Sequence, residues 1–287
     1  MLIPVYRSHN HIVGCDTLLI ACGDSWTEGI GNYDPAALED YLNRRSPYLD
    51  IKALSYKMGS FFENSWPLLV AKKLNWDVIN LGEGGSSNPG MAKKLLNEFS
   101  LDYNSENFKR YKKIIVFVML SGNNRVSFYR NQSLAHLLLT TNPTGHYLTS
   151  GDCKAWLEDY YRLISIHPND AVLETRHSVR AIEMYCKANN FTFVFGSGFA
   201  PVTPLAQIYE SPANIHRHLP HQYFSRYLTK ASFKRFPLES QFLTDEQVQQ
   251  YRAAEPTSDV ALCWHPNKTG YAKIAEVIAT TLSAHYI

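Results

Sequence analysis

Short, mostly apolar runs that stop at small residues recur along this chain of 287 residues. They cover residues 17–22, 77–81, 114–120 and 191–195, and each is followed directly by Gly or Ser. Runs of this length and composition are typical of strands that are buried on both faces of a parallel sheet. Because the carboxyl ends of such strands meet at one edge, where open α/β sheets bind ligands, the sequence predicts a site there.

Helical spacing of apolar residues appears between and after these runs. It predicts helices over residues 65–74, 91–99, 152–164, 170–189 and 267–285. Ser65 and Pro67 suit the start of the first of these helices, and Asn267 or Thr269 suits the start of the last. The alternation of strand and helix predicts a doubly wound α/β sheet. The remaining segments are predicted as an irregular lead-in over 1–16, a long loop over 26–64, a mixed region over 126–168 and a large insertion or lid over 197–258.

Composition narrows the class of protein. The 28 basic and 26 acidic residues nearly balance, so no strong attraction to nucleic acid is expected. Five cysteines, irregularly spaced and without a CxxC pair, argue against a disulfide framework and against a zinc site. We find neither a signal peptide nor an apolar run of about 18 residues, and we therefore expect a soluble, cytoplasmic protein without a membrane span. The oligomeric state is not predicted.

The first apolar run ends at Gly23-Asp24-Ser25. A tight turn at the end of a buried strand would hold the Ser25 hydroxyl at the carboxyl edge of the sheet, where it is a candidate nucleophile. The alternative is that Ser25 only caps a helix, which is a common role for serine. Asp24 is expected to hold the turn through hydrogen bonds to nearby backbone N–H groups.

Three further features accompany Ser25 in a fixed order. Gly85 lies in a Gly-rich loop after the second strand, Asn123 follows the third, and His265 stands just before the last helix. With Ser25 in its Gly-Asp-Ser turn, these blocks resemble the SGNH (GDSL-type) serine hydrolase family, which is named for a Ser, a Gly, an Asn and a His. The resemblance covers residues 17–30, 77–90, 113–124 and 262–280, and implies a flavodoxin-like three-layer α/β/α sandwich with a mostly parallel sheet. We therefore expect a single domain, 1–287, with the insertion over about 197–258.

The resemblance also implies a role for each matching residue. Ser25 would be the nucleophile and His265 the base that takes its proton. The Ser25 and Gly85 backbone N–H groups and the Asn123 side-chain amide would form the oxyanion hole. Neutral donors of this kind suit the charge that a tetrahedral intermediate places on one oxygen.

The sequence departs from the family pattern at two positions. Asn124 stands where the third block usually has Asp, and Leu262 stands three residues before His265, where the family usually has the Asp that orients the imidazole. Two arrangements are open. Asp259 reaches the His265 ring, or a main-chain carbonyl near Leu262 accepts the ring N–H and the site is a Ser–His dyad.

The expected function is that of a serine esterase that needs no cofactor and no metal. A short-acyl ester, above all an O-acetyl group on a carbohydrate, is the expected substrate, because the site loops are rich in Trp, Tyr, Asn and His. The alternatives are a lipolytic esterase or lipase of the same fold, an acyltransferase, and a non-catalytic carbohydrate-binding or structural protein derived from it. The partner is thus a small-molecule or glycan ester.

Overall fold

A computed structural model describes the chain at residues 8–10, 15–33, 35–44, 63–102, 106–122, 125–130, 133–138, 168–198, 210–229, 245–254, 258–261 and 265–287. The strands are β1 (Ser8–Asn10), β2 (Thr17–Gly23), β3 (Asp77–Asn80), β4 (Lys113–Leu120), β5 (Arg125–Arg130), β6 (Ser133–Leu138) and β7 (Thr192–Ser197). The helices are α1 (Ser25–Glu28), α2 (Pro35–Arg44), α3 (Trp66–Leu74), α4 (Asn88–Asp102), α5 (Glu106–Lys109), α6 (Pro168–Ala188), α7 (Asp245–Ala254) and α8 (Lys268–His285). The predicted helix over 152–164 lies outside the described residues.

Five strands form the main sheet in the order β1-β3-β2-β4-β7. Strands β3, β2, β4 and β7 are parallel neighbours, and β1 adds to the β3 edge in antiparallel orientation. In chain order the parallel strands lie as second, first, third and fourth, which is the flavodoxin-like arrangement. The predicted fold class is confirmed. The lead-in predicted over 1–16 is corrected, because Ser8–Asn10 pairs with β3 through its backbone.

Helices cover both faces of the sheet. Alternate residues of β2 point to opposite sides, so Leu18 and Ile20 belong to one core and Leu19 and Ala21 to the other. The first core includes residues of α4 and α6 (Met91, Leu95, Val179 and Ile182), and the second includes residues of α3 and α8 (Trp66, Val70, Ile274 and Ile278). Each layer of helices therefore buries one side of a sheet that is apolar on both, which makes the three-layer sandwich.

Regular structure also occurs in parts of the long loop, the mixed region and the insertion for which no helix or strand was predicted. Helix α2 lies within the predicted loop over 26–64, and its Leu42 packs on Val248 and Tyr251 of α7. An ion pair between Arg252 and Glu39 joins the same two helices. In the mixed region over 126–168, β5 and β6 pair as a two-stranded antiparallel hairpin. That residues 197–258 form an insertion stays a prediction.

The last helix begins as one of the two predicted alternatives. Asn267 is the residue before α8, and its side chain accepts a hydrogen bond from the Gly270 N–H at 3.0 Å. Such a cap satisfies one of the backbone donors that a helix start leaves unpaired. The cap also fixes where His265 stands, because only Pro266 separates it from Asn267.

His216 is a buried histidine whose ring lies against Ser197, the last residue of β7. Its Nε2 accepts a hydrogen bond from the Ser197 N–H at 2.9 Å, and its Nδ1 lies 2.9 Å from the carbonyl oxygen of His221. Because Nε2 is the acceptor, Nδ1 carries the proton and the ring is neutral. Burial lowers the pKa of His216 to about 4, against the hydrogen bond to the His221 carbonyl, which favours the protonated ring.

We expect His216 to make the stability of the protein depend on pH. The unfolded chain binds a proton at this residue near the ordinary pKa of 6.5 and the folded chain near 4. The stabilisation is therefore complete above about pH 6.5 and is lost as the pH falls towards 4. Between about pH 7 and pH 4.5, the unfolding free energy of the wild type should fall by about 2–3 kcal/mol more than that of His216→Gln.

Urea titrations at the two pH values measure this difference. His177→Gln, which changes an exposed histidine on α6, is the matched control and should keep the wild-type dependence. Equal pH dependence in the wild type and His216→Gln would show that His216 titrates alike in both states.

Candidate active site

The candidate site lies at the carboxyl ends of β2, β3 and β4. After β2 the chain moves to β3 on one side, and it then returns to β4 on the other side of β2. At such a switch point the loops of neighbouring strands turn away from each other and leave a crevice. The three loops carry the Gly-Asp-Ser turn, the Gly-rich loop over 82–87 and the segment that begins at Ser121.

Ser25 and His265 are in hydrogen-bond contact. Their Oγ and Nε2 atoms are 2.7 Å apart, although 240 positions separate the residues in sequence. Ser25 is the first residue of α1, and the cap of this short helix is Asp24, whose Oδ1 accepts a hydrogen bond from the Trp26 N–H at 3.0 Å. The capping role therefore belongs to Asp24, as predicted, and the Ser25 hydroxyl faces the imidazole.

The loop after α1 packs closely against His265 and Pro266. Gly31 has φ +108°, and a Cβ at this position would lie 3.1 Å from His265 Cβ and 2.3 Å from the Pro266 carbonyl oxygen. Only glycine fits both the left-handed backbone and the close approach. Tyr271 on α8 donates a hydrogen bond to the Ile30 carbonyl at 2.8 Å. The nucleophile turn and the segment that carries the histidine are thus packed together at two points.

Two of the three predicted oxyanion donors, the backbone N–H groups of Ser25 and Gly85, belong to the described residues. Within the described residues, neither the Ser25 nor the Gly85 N–H has a hydrogen-bond acceptor. The Gly-rich loop approaches the nucleophile closely, since a Cβ on Gly84 would lie 3.9 Å from Ser25 Cβ. Gly85 itself has φ +85°, a conformation that favours glycine. Asn123, the third predicted donor, lies outside the described residues.

Buried side chains fix the Gly-rich loop against the nucleophile turn. The Glu28 carboxylate, one helical turn after Ser25, accepts a hydrogen bond from the Gly84 N–H. The Asn80 side chain donates to the Thr27 carbonyl at 2.8 Å and accepts from the Gly82 N–H at 2.9 Å. Sequence reasoning assigned no role to Glu28 or Asn80. The position of Glu28, three residues after Ser25 in a four-residue helix, is the signal that could have found it.

The Asp259 carboxylate is bound to two other residues, Thr229 and Lys273. It accepts a hydrogen bond from the Thr229 N–H at 2.7 Å and lies 2.6 Å from Lys273 Nζ. Burial acts to raise the pKa of Asp259, but these two partners outweigh it and lower the pKa below the ordinary value. The backbones of the two segments also pair, since the Ala261 N–H donates to the His265 carbonyl. The contacts of the Asp259 carboxylate therefore do not support the hypothesis that it orients the imidazole. Leu262, near which the alternative main-chain acceptor was predicted, lies outside the described residues.

The described residues show neither a metal-binding cluster nor a membrane-spanning helix. They contain no cluster of three or more His, Cys, Asp or Glu side chains placed to hold a metal ion. In the same part of the chain, no helix is both long and apolar enough to cross a membrane.

No protein-family model matches the chain, and no curated protein matches its sequence. Solved structures with a similar arrangement include a G-D-S-L family protein from Desulfitobacterium hafniense DCB-2 (12% identity, TM-score 0.39, 92% of this chain and 99% of that chain). Others are an acetyl xylan esterase from the rumen bacterium Butyrivibrio proteoclasticus (14%, 0.47, 96% and 66%) and a family two carbohydrate esterase from Clostridium thermocellum in complex with cellohexaose (16%, 0.38, 94% and 64%). Similarities of this size leave the function to be inferred from the site itself.

We expect Asp259→Asn to change kcat for an activated ester by less than about threefold, because this carboxylate binds Thr229 and Lys273. Removal of a carboxylate that orients a catalytic histidine would instead lower kcat by about 10⁴. The amide still accepts from the Thr229 N–H, and Lys273 is half exposed, so the loss of stability should be about 1 kcal/mol or less. Steady-state kinetics and urea unfolding check both values.

Lys273→Met breaks the same ion pair from its other side and is the matched control for Asp259→Asn. Both variants should keep near wild-type turnover, and Lys273→Met should be the less stable of the two because it leaves the buried Asp259 carboxylate without its cation. A loss of a hundredfold or more in Asp259→Asn alone would establish Asp259 as the group that orients His265.

Proposed function

We propose that this protein is a serine esterase that hydrolyses carboxylic esters through an acyl-enzyme on Ser25. The observation that carries the proposal is the 2.7 Å contact between Ser25 Oγ and His265 Nε2, near two backbone N–H groups that have no acceptor among the described residues. A nucleophile within hydrogen-bond reach of a base, next to neutral donors for an oxyanion, is the arrangement that acyl transfer requires. The order of the four sequence blocks supports the same function independently.

In the first half of the reaction, Ser25 Oγ forms a bond to the carbonyl carbon of the ester while its proton passes to His265 Nε2. The carbonyl electron pair moves onto oxygen, where the Ser25 and Gly85 N–H groups and the Asn123 amide would stabilise the charge. Collapse of this intermediate breaks the ester C–O bond, and the leaving alkoxide takes the proton from His265.

In the second half, water replaces the alcohol. His265 takes a proton from water as its oxygen attacks the acyl carbon, and collapse releases Ser25 Oγ, which recovers the proton. The sum is ester plus water to acid plus alcohol, with no oxidant, metal or cofactor required. We propose a Ser–His dyad whose imidazole is oriented by a main-chain carbonyl near Leu262, since the Asp259 carboxylate is bound to Thr229 and Lys273.

Ser25→Ala should lower kcat for an activated ester by at least about a hundredfold, since nucleophile deletions have effects of this size or larger. A fluorophosphonate probe should label the wild type on Ser25, located by mass spectrometry of the peptides, and should leave Ser25→Ala unlabelled. Ser178→Ala, on α6, removes a different buried serine and should keep both turnover and labelling. A wild type that neither turns over activated esters nor takes the label would favour a non-catalytic binding protein.

For the substrate, we propose a short acyl group, above all acetyl, carried by a carbohydrate hydroxyl. The support is compositional: Trp, Tyr, Asn and His recur in the segments around the sheet edge, and such side chains stack on sugars and bind hydroxyl groups. A lipolytic enzyme of the same fold is the second candidate, and it differs in requiring an apolar groove for a long chain.

Turnover on a series of p-nitrophenyl esters separates these two candidates. We expect kcat/KM to be highest for acetate and to fall by at least about tenfold by octanoate. A groove would stabilise each buried methylene by about 0.8 kcal/mol, whereas a site shaped for acetyl gives a longer chain none of this and has no space for its extra atoms. Acetate release from an acetylated oligosaccharide, measured against Ser25→Ala, is the companion assay. A preference for octanoate or longer chains would replace the short-acyl proposal with the lipolytic one.

A further inference from the structure

Tyr271, in the first turn of α8, has a hydroxyl group that lies against the nucleophile turn. The residue is fully buried, and its Oη donates a hydrogen bond to the Ile30 carbonyl at 2.8 Å. The Ser25 carbonyl oxygen lies 3.4 Å from the same hydroxyl. The Tyr271 hydroxyl therefore meets the backbone of this turn at the nucleophile itself and again five residues later.

Ile30 connects Tyr271 to Ser25 through its backbone. The Ile30 N–H donates to the Ser25 carbonyl at 3.0 Å, and the Ile30 carbonyl accepts from the Tyr271 hydroxyl. Both backbone polar groups of Ile30 are therefore bonded, one to the residue that carries the nucleophile and the other to α8. Ile30 and Ser25 are both buried, so these bonds form where water competes little for them.

The backbone of Tyr271 leads to His265. The Tyr271 N–H donates to the Asn267 carbonyl at 2.8 Å, and Asn267 is the capping residue of α8, two residues after His265. The side chain of Tyr271 thus binds the turn that carries Ser25, while its main chain binds the segment that carries His265. One residue therefore links the two segments between which the 2.7 Å contact forms.

Packing accounts for the ring of Tyr271 but not for its hydroxyl. The ring belongs to the core that α3 and α8 form on one face of the sheet, and a phenylalanine ring would fill the same space. Burying a hydroxyl costs free energy unless it is hydrogen-bonded. The hydroxyl therefore favours the one arrangement in which the Ile30 carbonyl lies within its reach, which a core made only of apolar groups would not select.

We propose that Tyr271 is a positioning residue whose hydroxyl sets the distance between Ser25 Oγ and His265 Nε2, by holding the nucleophile turn against the start of α8. The inference rests on the proposed esterase function. A tyrosine suits this role because its ring is rigid and few torsion angles separate the hydroxyl from the main chain. Transfer of the serine proton requires hydrogen-bond reach, and a displacement of about 1 Å lowers the rate by up to about 100-fold.

Tyr271→Phe is the variant that tests this role, with Tyr111→Phe as its matched control. Without the hydroxyl, the Ile30 carbonyl loses this donor, and kcat for an activated ester should fall by about 10–100-fold with KM within about threefold. Labelling of Ser25 by a fluorophosphonate should slow by a similar factor. Tyr111→Phe removes a buried hydroxyl that donates to Asp77, the first residue of β3, at the opposite end of the sheet. It should lower the melting temperature while kcat stays within about threefold.

Gly31→Ala acts on the same contact from the other side and gives a second measurement if Tyr271→Phe folds poorly. The added Cβ would lie 2.3 Å from the Pro266 carbonyl oxygen, so it pushes the nucleophile turn away from the segment that carries His265. We expect kcat to fall by at least about tenfold, and an unchanged kcat would count against the inference. All rates are measured at a temperature at which circular dichroism shows the variant to be folded.

A double-mutant cycle with His265→Ala assigns the route of the effect. His265→Ala alone should lower kcat by at least about a hundredfold, and in that background Tyr271→Phe should lower it by less than about threefold, because the base is gone. An equal factor in both backgrounds, or an unchanged kcat in Tyr271→Phe, would overturn the inference while Ser25-dependent turnover remained. Turnover that survives Ser25→Ala would instead overturn the proposed function, and this inference with it.

Discussion

The hydrogen bond between Ser25 and His265 joins two residues that are 240 positions apart, and the rest of the structure decides whether it forms. Closing so long a stretch of chain costs conformational entropy, which one partly buried hydrogen bond does not offset. The parallel sheet repays it by burying apolar residues on both faces, with α8 packed on one of them. The packing of the core therefore brings Ser25 and His265 together. The short segments 24–33 and 265–267 only connect the two side chains to that core.

Buried polar side chains hold the loops of the site rigidly in place. Glu28 and Asn80 tie the Gly-rich loop to the nucleophile turn, and Asn88 ties the same loop to Ser121. Such groups lose their hydration on folding, so each stabilises the protein only in the geometry that satisfies it. A site built in this way has few alternative arrangements, and this suits donors that must be in place before charge develops on a substrate.

Features set by local pattern could be predicted from the sequence. The buried strands are visible in the sequence as apolar runs. Asp24, directly after the first run, holds the turn as expected, and Asn267 is one of the two residues predicted to start the last helix. Strand β1 could not be found, because Ser8–Asn10 pairs through backbone atoms and leaves no apolar signal. Asn88 and Ser121 lie 33 positions apart, and a polar contact over that distance has no periodicity to detect. The direction of the Asp259 side chain depends on Thr229 and Lys273, which no spacing rule connects to it.

The two outer strands of the sheet affect whether a second chain can pair with it at high protein concentration. Strand β1 covers the edge of β3, and beyond β7 the Phe195 N–H donates to the Ala213 carbonyl, with Asn214 bridged to Phe195. Bare strand edges are templates on which a second chain adds its own strand. Here short segments of irregular sequence occupy part of each edge, too brief to extend the sheet themselves. Within the described residues the sheet ends at these two segments, and at the positions they occupy a second chain would find no free backbone groups on β3 or β7 to pair with.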